Sequence, residues 1–299
     1  MITSIIKTIE KVLLHLMATR LFYKVPDRIY LQIRYRIRTH KKLNLDNPVS
    51  YNEKIQWLKM YYRKPEQSIF VDKYEVRKYV EEKLGSKYLI PLIGIWDKVA
   101  DIDIESLPHS FILKCTHDSG SSIKCTDKSQ LNIRKTKRKL NKNLKKNYYY
   151  KCREWLYKEV TPRIICEKLL INADGSDILD YKIFCFDGVV KFIRVKYFLD
   201  GVLSKQTFDT QWNLLEETGM LKPDIEIIKK PENLEEMLFV AKTLSDGLPM
   251  LRADLYNVDG KVYFGEMTIY HGSGFTTMKF DEIETKMNNW FTLPESKSI

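Results

Sequence analysis

Arg252, Asp254 and Glu266 stand in a stretch, Leu251 to Phe275 (LRADLYNVDGKVYFGEMTIYHGSGF), whose spacing could gather charged side chains for chemistry. Residues 251–256 alternate as a half-buried strand does, Asn257-Val-Asp-Gly260 is a tight-turn sequence, and residues 261–268 return as a second strand. A β-hairpin is predicted. If Asp254 and Glu266 face the same way across it, two carboxylates converge with Arg252 close by, an arrangement suited to holding Mg²⁺ against phosphate oxygens. Taken alone, such a hairpin more often carries solvated charges on its outer face. The groups that would meet the phosphates must come from the rest of the chain.

The chain carries 50 Lys and Arg against 39 Asp and Glu, a net charge of +11 that favours polyanionic partners: nucleotide phosphates, acidic polysaccharide, nucleic acid or anionic lipid. Hydrophobic content of 44% with 30% charged residues describes a folded globular protein, and 299 residues suffice for one large domain or two to three lobes. Cys115, Cys125, Cys152, Cys166 and Cys185 are odd in number, lack C-x-x-C spacing and mostly lie in apolar runs. They predict neither a disulfide framework nor a zinc site and fit a reducing cytosol. No run reaches the roughly 20 apolar residues of a spanning helix, and the N-terminus lacks the features of a signal peptide, which argues against a secreted or integral membrane protein.

The positioning elements follow from periodicity. Ile5, Ile6, Ile9, Val12, Leu13, Leu16 and Met17 share one face of a helix over residues 4–17, a stripe suited to packing on the next helix or, less commonly, to docking on a membrane surface. Residues 27–42 read as a basic helix. Ser50 and Glu53 form a capping box opening a helix at 51–61, and a longer helix runs from about Ser68 to Leu84 before Gly85. Residues 88–96 are apolar and extended, with Pro91 marking an edge strand or connector. After Leu107-Pro108 come a strand at 111–115, a small-residue loop at 117–122 and a second strand at 123–126. Residues 132–150 read as a basic helix ending in three tyrosines. Aromatics among basic residues suit single-stranded nucleic acid. A solvated helix with tyrosines packed at its end is the simpler reading, so nucleic acid is disfavoured as a partner. Then follow a strand within 162–171, a hairpin of 179–186 and 189–195 across Asp187-Gly188, and a helix at 231–245 with Pro231 in its first turn.

Lys114, near the end of a strand just before the glycine loop, could meet phosphate while the backbone N–H groups of Ser119 to Ser122 cradle neighbouring oxygens. Backbone groups at Glu167 to Leu170, closing another strand, could bond an adenine edge, and the acidic hairpin would bring Mg²⁺ to the far end of the same nucleotide. A Walker A sequence is missing, as are the H-R-D and D-F-G signatures of protein kinases.

Five stretches taken in order carry a more specific likeness: Tyr51-Asn-Glu-Lys-Ile-Gln-Trp-Leu-Lys59, Val71-Asp-Lys-Tyr-Glu-Val-Arg77, Phe111-Ile-Leu-Lys-Cys-Thr-His117, Asp180-Tyr-Lys-Ile-Phe-Cys-Phe-Asp-Gly188 and the opening hairpin. Spanning about residues 48–290, they resemble the TupA-like branch of the ATP-grasp superfamily, which is associated with teichuronopeptide and other bacterial surface-polysaccharide synthesis. The resemblance implies an α+β ATP-grasp fold, a helical N-terminal region followed by two α+β lobes clasping the nucleotide. Expected divisions are 1–47 (helical, potentially membrane-peripheral), 48–107 (N-terminal part of the ATP-grasp region), 108–170 (central lobe with the glycine loop) and 171–299 (C-terminal lobe with the metal hairpin). It implies ATP and Mg²⁺ as cofactors and the following roles. Lys73 and Lys114 reach the nucleotide phosphates. Ser119, Gly120, Ser121 and Ser122 form the loop that closes over them. Glu167 and Leu170 belong to the connector at adenine, and Asp180 lies near ribose. Asp254, Glu266 and Thr268 hold the metal, Arg252 stabilises the transferring phosphoryl group, and Gly272 and Ser273 form the substrate-side turn. The metal motif departs from the usual Glu-x-Asn, reading Glu266-Met-Thr268, and His271 stands where proline is common.

A ligase of this kind activates a carboxylate by phosphorylation, because oxide is a poor leaving group, and an amine then attacks the acyl phosphate. The implied substrates are a carboxylated sugar or anionic polysaccharide and an amino compound, handled in the cytoplasm or at the inner face of the plasma membrane. The alternative is a glycosyltransferase using a nucleotide sugar in the same pathway. That reading needs a Rossmann-like sheet, and strand–helix alternation is poorly developed here. A third is a non-catalytic anion-binding module built on the basic helix at 132–150.

Overall fold

The computed structural model describes residues 2–199, 202–215, 226–276 and 281–295, with side chains described from Thr8 onward. In chain order the helices are α1 (Ile2–Met17), α2 (Asp27–Thr39), α3 (Tyr51–Tyr61), α4 (Glu75–Leu84), α5 (Ile133–Leu144), α6 (Tyr149–Cys152), α7 (Leu234–Leu244) and α8 (Asp281–Trp290). The strands are β1 (Leu92–Trp96), β2 (Phe111–Cys115), β3 (Ile123–Cys125), β4 (Ile164–Lys168), β5 (Asp180–Phe186), β6 (Val189–Leu199), β7 (Val202–Phe208), β8 (Met250–Val258) and β9 (Lys261–Thr268). They fold into two compact units, each built from separate stretches: 1–68, 147–160 and 270–299 in one, and 69–146 and 161–269 in the other.

The first unit is helical. The capping box forms as predicted: Glu53 N–H donates to Ser50 Oγ at 3.3 Å and Ser50 N–H donates to Glu53 Oε2 at 3.0 Å, which fixes the start of α3. The apolar stripe of α1 divides. Met17 is fully buried and Leu13 half-buried, whereas Ile9, Val12 and Leu16 remain 60%, 55% and 41% exposed. Ile5 and Ile6 lie outside the described side chains. No helix of the described residues is long and apolar enough to cross a membrane.

The predicted basic helix of 132–150 is in fact two. α5 ends at Leu144, and the Asn147 side chain accepts the N–H of Tyr149 at 3.0 Å, starting α6 afresh. A local side-chain acceptor of this kind competes with continued helix. The tyrosines pack as expected: Tyr148 on Tyr157, Tyr150 stacked at 3.6 Å on Tyr23, and Tyr149 buried with its hydroxyl donating to Asp27. α7 likewise starts later than the sequence suggests, at Leu234, leaving Pro231 ahead of its first turn.

The second unit holds two antiparallel sheets, ordered β1-β4-β2-β3 and β7-β6-β5-β8-β9. Period-two alternation assigns their faces. In the smaller sheet Phe111, Leu113, Cys115, Ile164 and Cys166 face a core closed by Leu140 of α5, so Lys114 and Glu167 take the opposite face. In the larger sheet α7 covers one face, where Cys185 Sγ meets Ala241 O. The opposite face of each sheet carries the charged residues, Lys114 and Glu167 in the smaller sheet and Lys182 and Asp254 in the larger. This mixture of helices and antiparallel sheets is an α+β fold.

Candidate active site

Strand register builds the site. Lys182 pairs with Asp254 across β5 and β8, Asp254 pairs with Glu266 across β8 and β9, and Arg252 pairs with Thr268. Partners directly opposite in an antiparallel ladder share a face, so the two carboxylates converge. A bulge next to the pair makes this register possible. Gly265 is the extra residue of β9, and a Cβ there would lie 3.0 Å from the Asp254 carbonyl oxygen and 3.0 Å from the Tyr256 ring. Glycine therefore allows β9 to approach β8 where Glu266 is presented.

Asp254 is the hub. Arg252 meets it through two bonds, Nε to Oδ1 at 2.6 Å and Nη2 to Oδ2 at 2.7 Å, and Lys182 Nζ lies 2.5 Å from Oδ2. Lys182 also reaches Asp180 at 2.7 Å, and Arg252 Nη2 donates to Thr268 Oγ1 at 3.0 Å. Burial pushes the Asp254 carboxyl pKa upward, but the facing Arg252 and Lys182 outweigh it and hold the group below its usual range. Burial, reinforced by Asp180, Asp254 and Glu266, raises the Tyr256 phenol, while burial beside Lys182 lowers Lys196.

The smaller sheet supplies a second charged group. Lys114 Nζ bonds Glu167 at 2.6 Å, and Arg77 Nη1 bonds the other Glu167 oxygen at 3.0 Å. Lys73 is placed by its own backbone: its N–H donates to Thr116 O at 3.1 Å, and its ammonium donates to Asp118 O. Burial lowers the Lys73 pKa, nearby Glu266 opposes that shift, and Lys114 adds to it. Lys73, Lys114 and the Glu266 carboxylate thus share one electrostatic neighbourhood. In the loop between β2 and β3, Ser119, Gly120 and Ser122 are exposed. Ser121 turns inward, donating to Asp118 at 2.5 Å and accepting from Cys115 N–H at 2.9 Å, so its hydroxyl organises the loop.

The same unit contains a cavity of about 530 Å³. Leu169, Leu170 and Ile171 from the segment after β4 line it with Asp180, Lys196 and Phe198. Its size lies within the roughly 300–1,000 Å³ of small-molecule clefts. Leu170 and Asp180 are therefore brought together, whereas the Glu167 side chain is spent on Lys114 and Arg77. Gly272 and Ser273 belong to the other unit. There Lys59 Nζ and Gln56 Nε2 donate to Ser273 O at 2.7 and 2.9 Å, Gln56 Nε2 also reaches Gly274 O at 2.7 Å, and the Ser273 hydroxyl bonds Glu154. Gly274 has φ +63°, and a Cβ would lie 2.6 Å from Gln56 Nε2 and 2.7 Å from Ile55, so the turn and α3 require glycine.

The model of the family described as TupA-like ATPgrasp matches residues 53–289. The chain belongs to that family. As a TupA-like ATP-grasp protein it is an enzyme of the ligase class. No curated protein matches it. Solved structures similar to it include D-alanine–D-alanine ligase from Helicobacter pylori (13% identity, 81% of this chain and 68% of that one, TM-score 0.42). Two others are the ATP-grasp ligase PsnB with a precursor variant, Mg and ADP (12%, 78% and 60%, 0.41) and the D-cycloserine synthetase DcsG (15%, 74% and 69%, 0.39).

The donor set of this TupA-like chain suits Mg²⁺ bound jointly with phosphate. Among the described residues no three His, Cys, Asp or Glu gather around one point. Mg²⁺ is ordinarily held by one or two carboxylates, with substrate phosphates and water completing its shell. Asp254 and Glu266 supply that number. Three cations of the site were not singled out from sequence: Lys182, Arg77 and Lys196. Lys182 was findable, since it lies two residues from Asp180 and so shares its strand face.

Proposed function

We propose that this enzyme joins a carboxylated sugar or anionic polysaccharide to an amino compound during assembly of a bacterial surface polymer of capsular or teichuronopeptide type. The observation that carries this reading is the Asp254–Glu266 pair on one sheet face, with Arg252 and Lys182 bound to Asp254 and Lys73 near Glu266. In this reading ATP lies with its base against Leu169–Ile171 and its ribose near Asp180. Lys73, Lys114 and the backbone of 119–122 hold the phosphates. Asp254 and Glu266 hold Mg²⁺, which screens phosphate charge, and Thr268 is a neutral third oxygen. Arg252 and Lys182 exchange Asp254 for the phosphoryl oxygens as charge develops. The acceptor carboxylate displaces ADP from the γ-phosphorus, and an amine nitrogen then displaces phosphate from the acyl carbon. The loop at 119–122 excludes water.

A thermal-shift titration tests the reading, since stabilisation follows ligand concentration over Kd. ATP with Mg²⁺ is expected to raise Tm more than ATP with a chelator, and UDP-sugars to leave it unchanged. The opposite ranking would favour a nucleotide-sugar glycosyltransferase. The exposed Ile9, Val12 and Leu16 support peripheral attachment at the inner face of the plasma membrane. Flotation with phosphatidylglycerol vesicles is expected to carry the wild type and to lose Ile9→Asp/Val12→Asp; equal flotation of both would remove α1 from any membrane role.

A further inference from the structure

Six of the twelve residues of α5 are Lys or Arg and none is acidic. Thr136, Leu140 and Asn143 seat the helix on the unit, leaving Arg134, Lys135, Arg138, Lys139 and Lys142 exposed, with exposed Lys145 just beyond. Apart from Lys139, which donates to the carbonyl of Ser122, these cations make no ion pair or hydrogen bond through their side chains among the described residues. A groove of about 710 Å³ runs along the end of the helix, lined by Lys137, Asn141, Leu144 and Lys145 and by Asp97 and Lys98 after β1. Like-charged side chains held side by side without counter-charges repel one another, and an external polyanion relieves that repulsion.

We infer that α5 and this groove bind the polymer chain of a carboxylated polysaccharide acceptor, an inference that takes its acceptor class from the function proposed above. At 1.5 Å per residue the cations extend over roughly 16 Å, a line suited to a charged chain rather than a single small anion. Nucleic acid fits less well, because unpaired bases need aromatic platforms. α5 carries none, and the tyrosines that follow it are packed against other rings. A bilayer fits less well too, because interfacial helices bury a broad apolar face. Ile133, 38% exposed, and the half-buried Leu144 at the far end are the large apolar side chains α5 shows among the described residues, too few for such a face. The groove adds an amide, Asn141, able to bond sugar hydroxyls between the carboxylates. Through Lys139 the same helix holds the backbone of the loop assigned to phosphate.

Direct binding to the full-length protein tests the assignment without turnover. Polygalacturonate, neutral dextran, an oligo(dT) and phosphatidylglycerol vesicles are compared on the wild type, on Lys98→Glu/Lys142→Glu/Lys145→Glu, and on Lys24→Glu/Lys41→Glu/Lys42→Glu, which changes net charge equally on the other unit. Polygalacturonate is expected to bind more tightly than oligo(dT), to weaken with salt, and to lose about tenfold or more in affinity only in the α5 variant. Dextran is expected not to bind. Equal loss in the control variant, tighter oligo(dT) binding, or an effect of the α5 substitutions on vesicles alone would overturn the inference. The ATP thermal shift, recorded on the same samples, reports the fold of each variant. A wild type that binds polygalacturonate but not ATP would sink the ligase reading and leave the polymer site standing.

Discussion

Asp254→Asn is expected to remove the magnesium-dependent part of ATP binding and to destabilise the fold by about 3–5 kcal/mol, the usual cost of breaking a buried ion pair from one side. The side chain is 6% exposed and faces Arg252 through two bonds and Lys182 through a third. An amide keeps the shape but removes the charge, leaving two buried cations facing a neutral group. The saving from no longer burying a carboxylate is smaller than that loss, as shown by the direction of the Asp254 shift: attraction from Arg252 and Lys182 exceeds the burial penalty. The pH dependence has a definite sign. A carboxyl whose folded pKa lies below 3.8 contributes stability that is full at neutral pH and is lost as pH falls through 3.8 toward the folded value. Urea unfolding of the two proteins from pH 7 down to pH 3 should therefore show a gap that narrows with acid. Lys182→Met, which leaves the Arg252 pair in place, is expected to cost less and to retain a magnesium response. If Asp254→Asn kept the wild-type difference between ATP with Mg²⁺ and ATP with chelator, the metal end of the site would lie elsewhere.

The hairpin that carries Asp254 was legible because two strong local signals agree: alternation over 251–268 and an Asp-Gly turn between the halves. Register from the turn alone would set Asp254 opposite Gly265, and the one-residue bulge there, which the sequence pattern does not announce, brings Glu266 opposite Asp254 instead. β7 carries no such signal although Asp200-Gly201 precedes it, because an edge strand with exposed Val202 and Leu203 lacks clean alternation. The helical unit was less legible for a different reason. Asn52, Gln56 and Lys59 follow one another at helical spacing in α3, and three polar residues on one stripe read as a solvated face. In the fold they are the buried face, and their partners lie more than ninety residues away along the chain, at Cys152, Ser273 and Thr276. Periodicity reports that a helix has a distinct side. It does not report that the partners of that side are carbonyl groups.

Lys59 is where that ambiguity has the largest consequence. Its ammonium is fully buried and donates to Gln56 Oε1, Cys152 O and Ser273 O at 3.2, 3.0 and 2.7 Å, with the Phe275 ring 4.7 Å away. Burial pulls its pKa from 10.5 down to about 8, against the opposing pull of Glu154. Below pH 8 the group is charged in both folded and unfolded chains, and folding bears the full cost of burying that charge. Between pH 8 and 10.5 the unfolded chain binds more protons, so this group adds stability as pH rises. The displacement corresponds to about 3 kcal/mol at 1.36 kcal/mol per unit. Lys59→Met removes both the titration and the donors. Unpaired carbonyls cost about 1–3 kcal/mol each, although Ser273 O keeps Gln56, so the variant is expected to be less stable at every pH. Its deficit should widen by up to about 3 kcal/mol between pH 8 and 10.5, because the wild type sheds a charge penalty that Met never carried. Denaturant titrations of both proteins across that range measure the difference and cancel titrations common to both; parallel curves would show that folding does not lower the Lys59 pKa. The functional effect separates from the stability effect. The ATP and Mg²⁺ thermal shift is expected to persist, since Lys59 contacts none of the residues assigned to nucleotide.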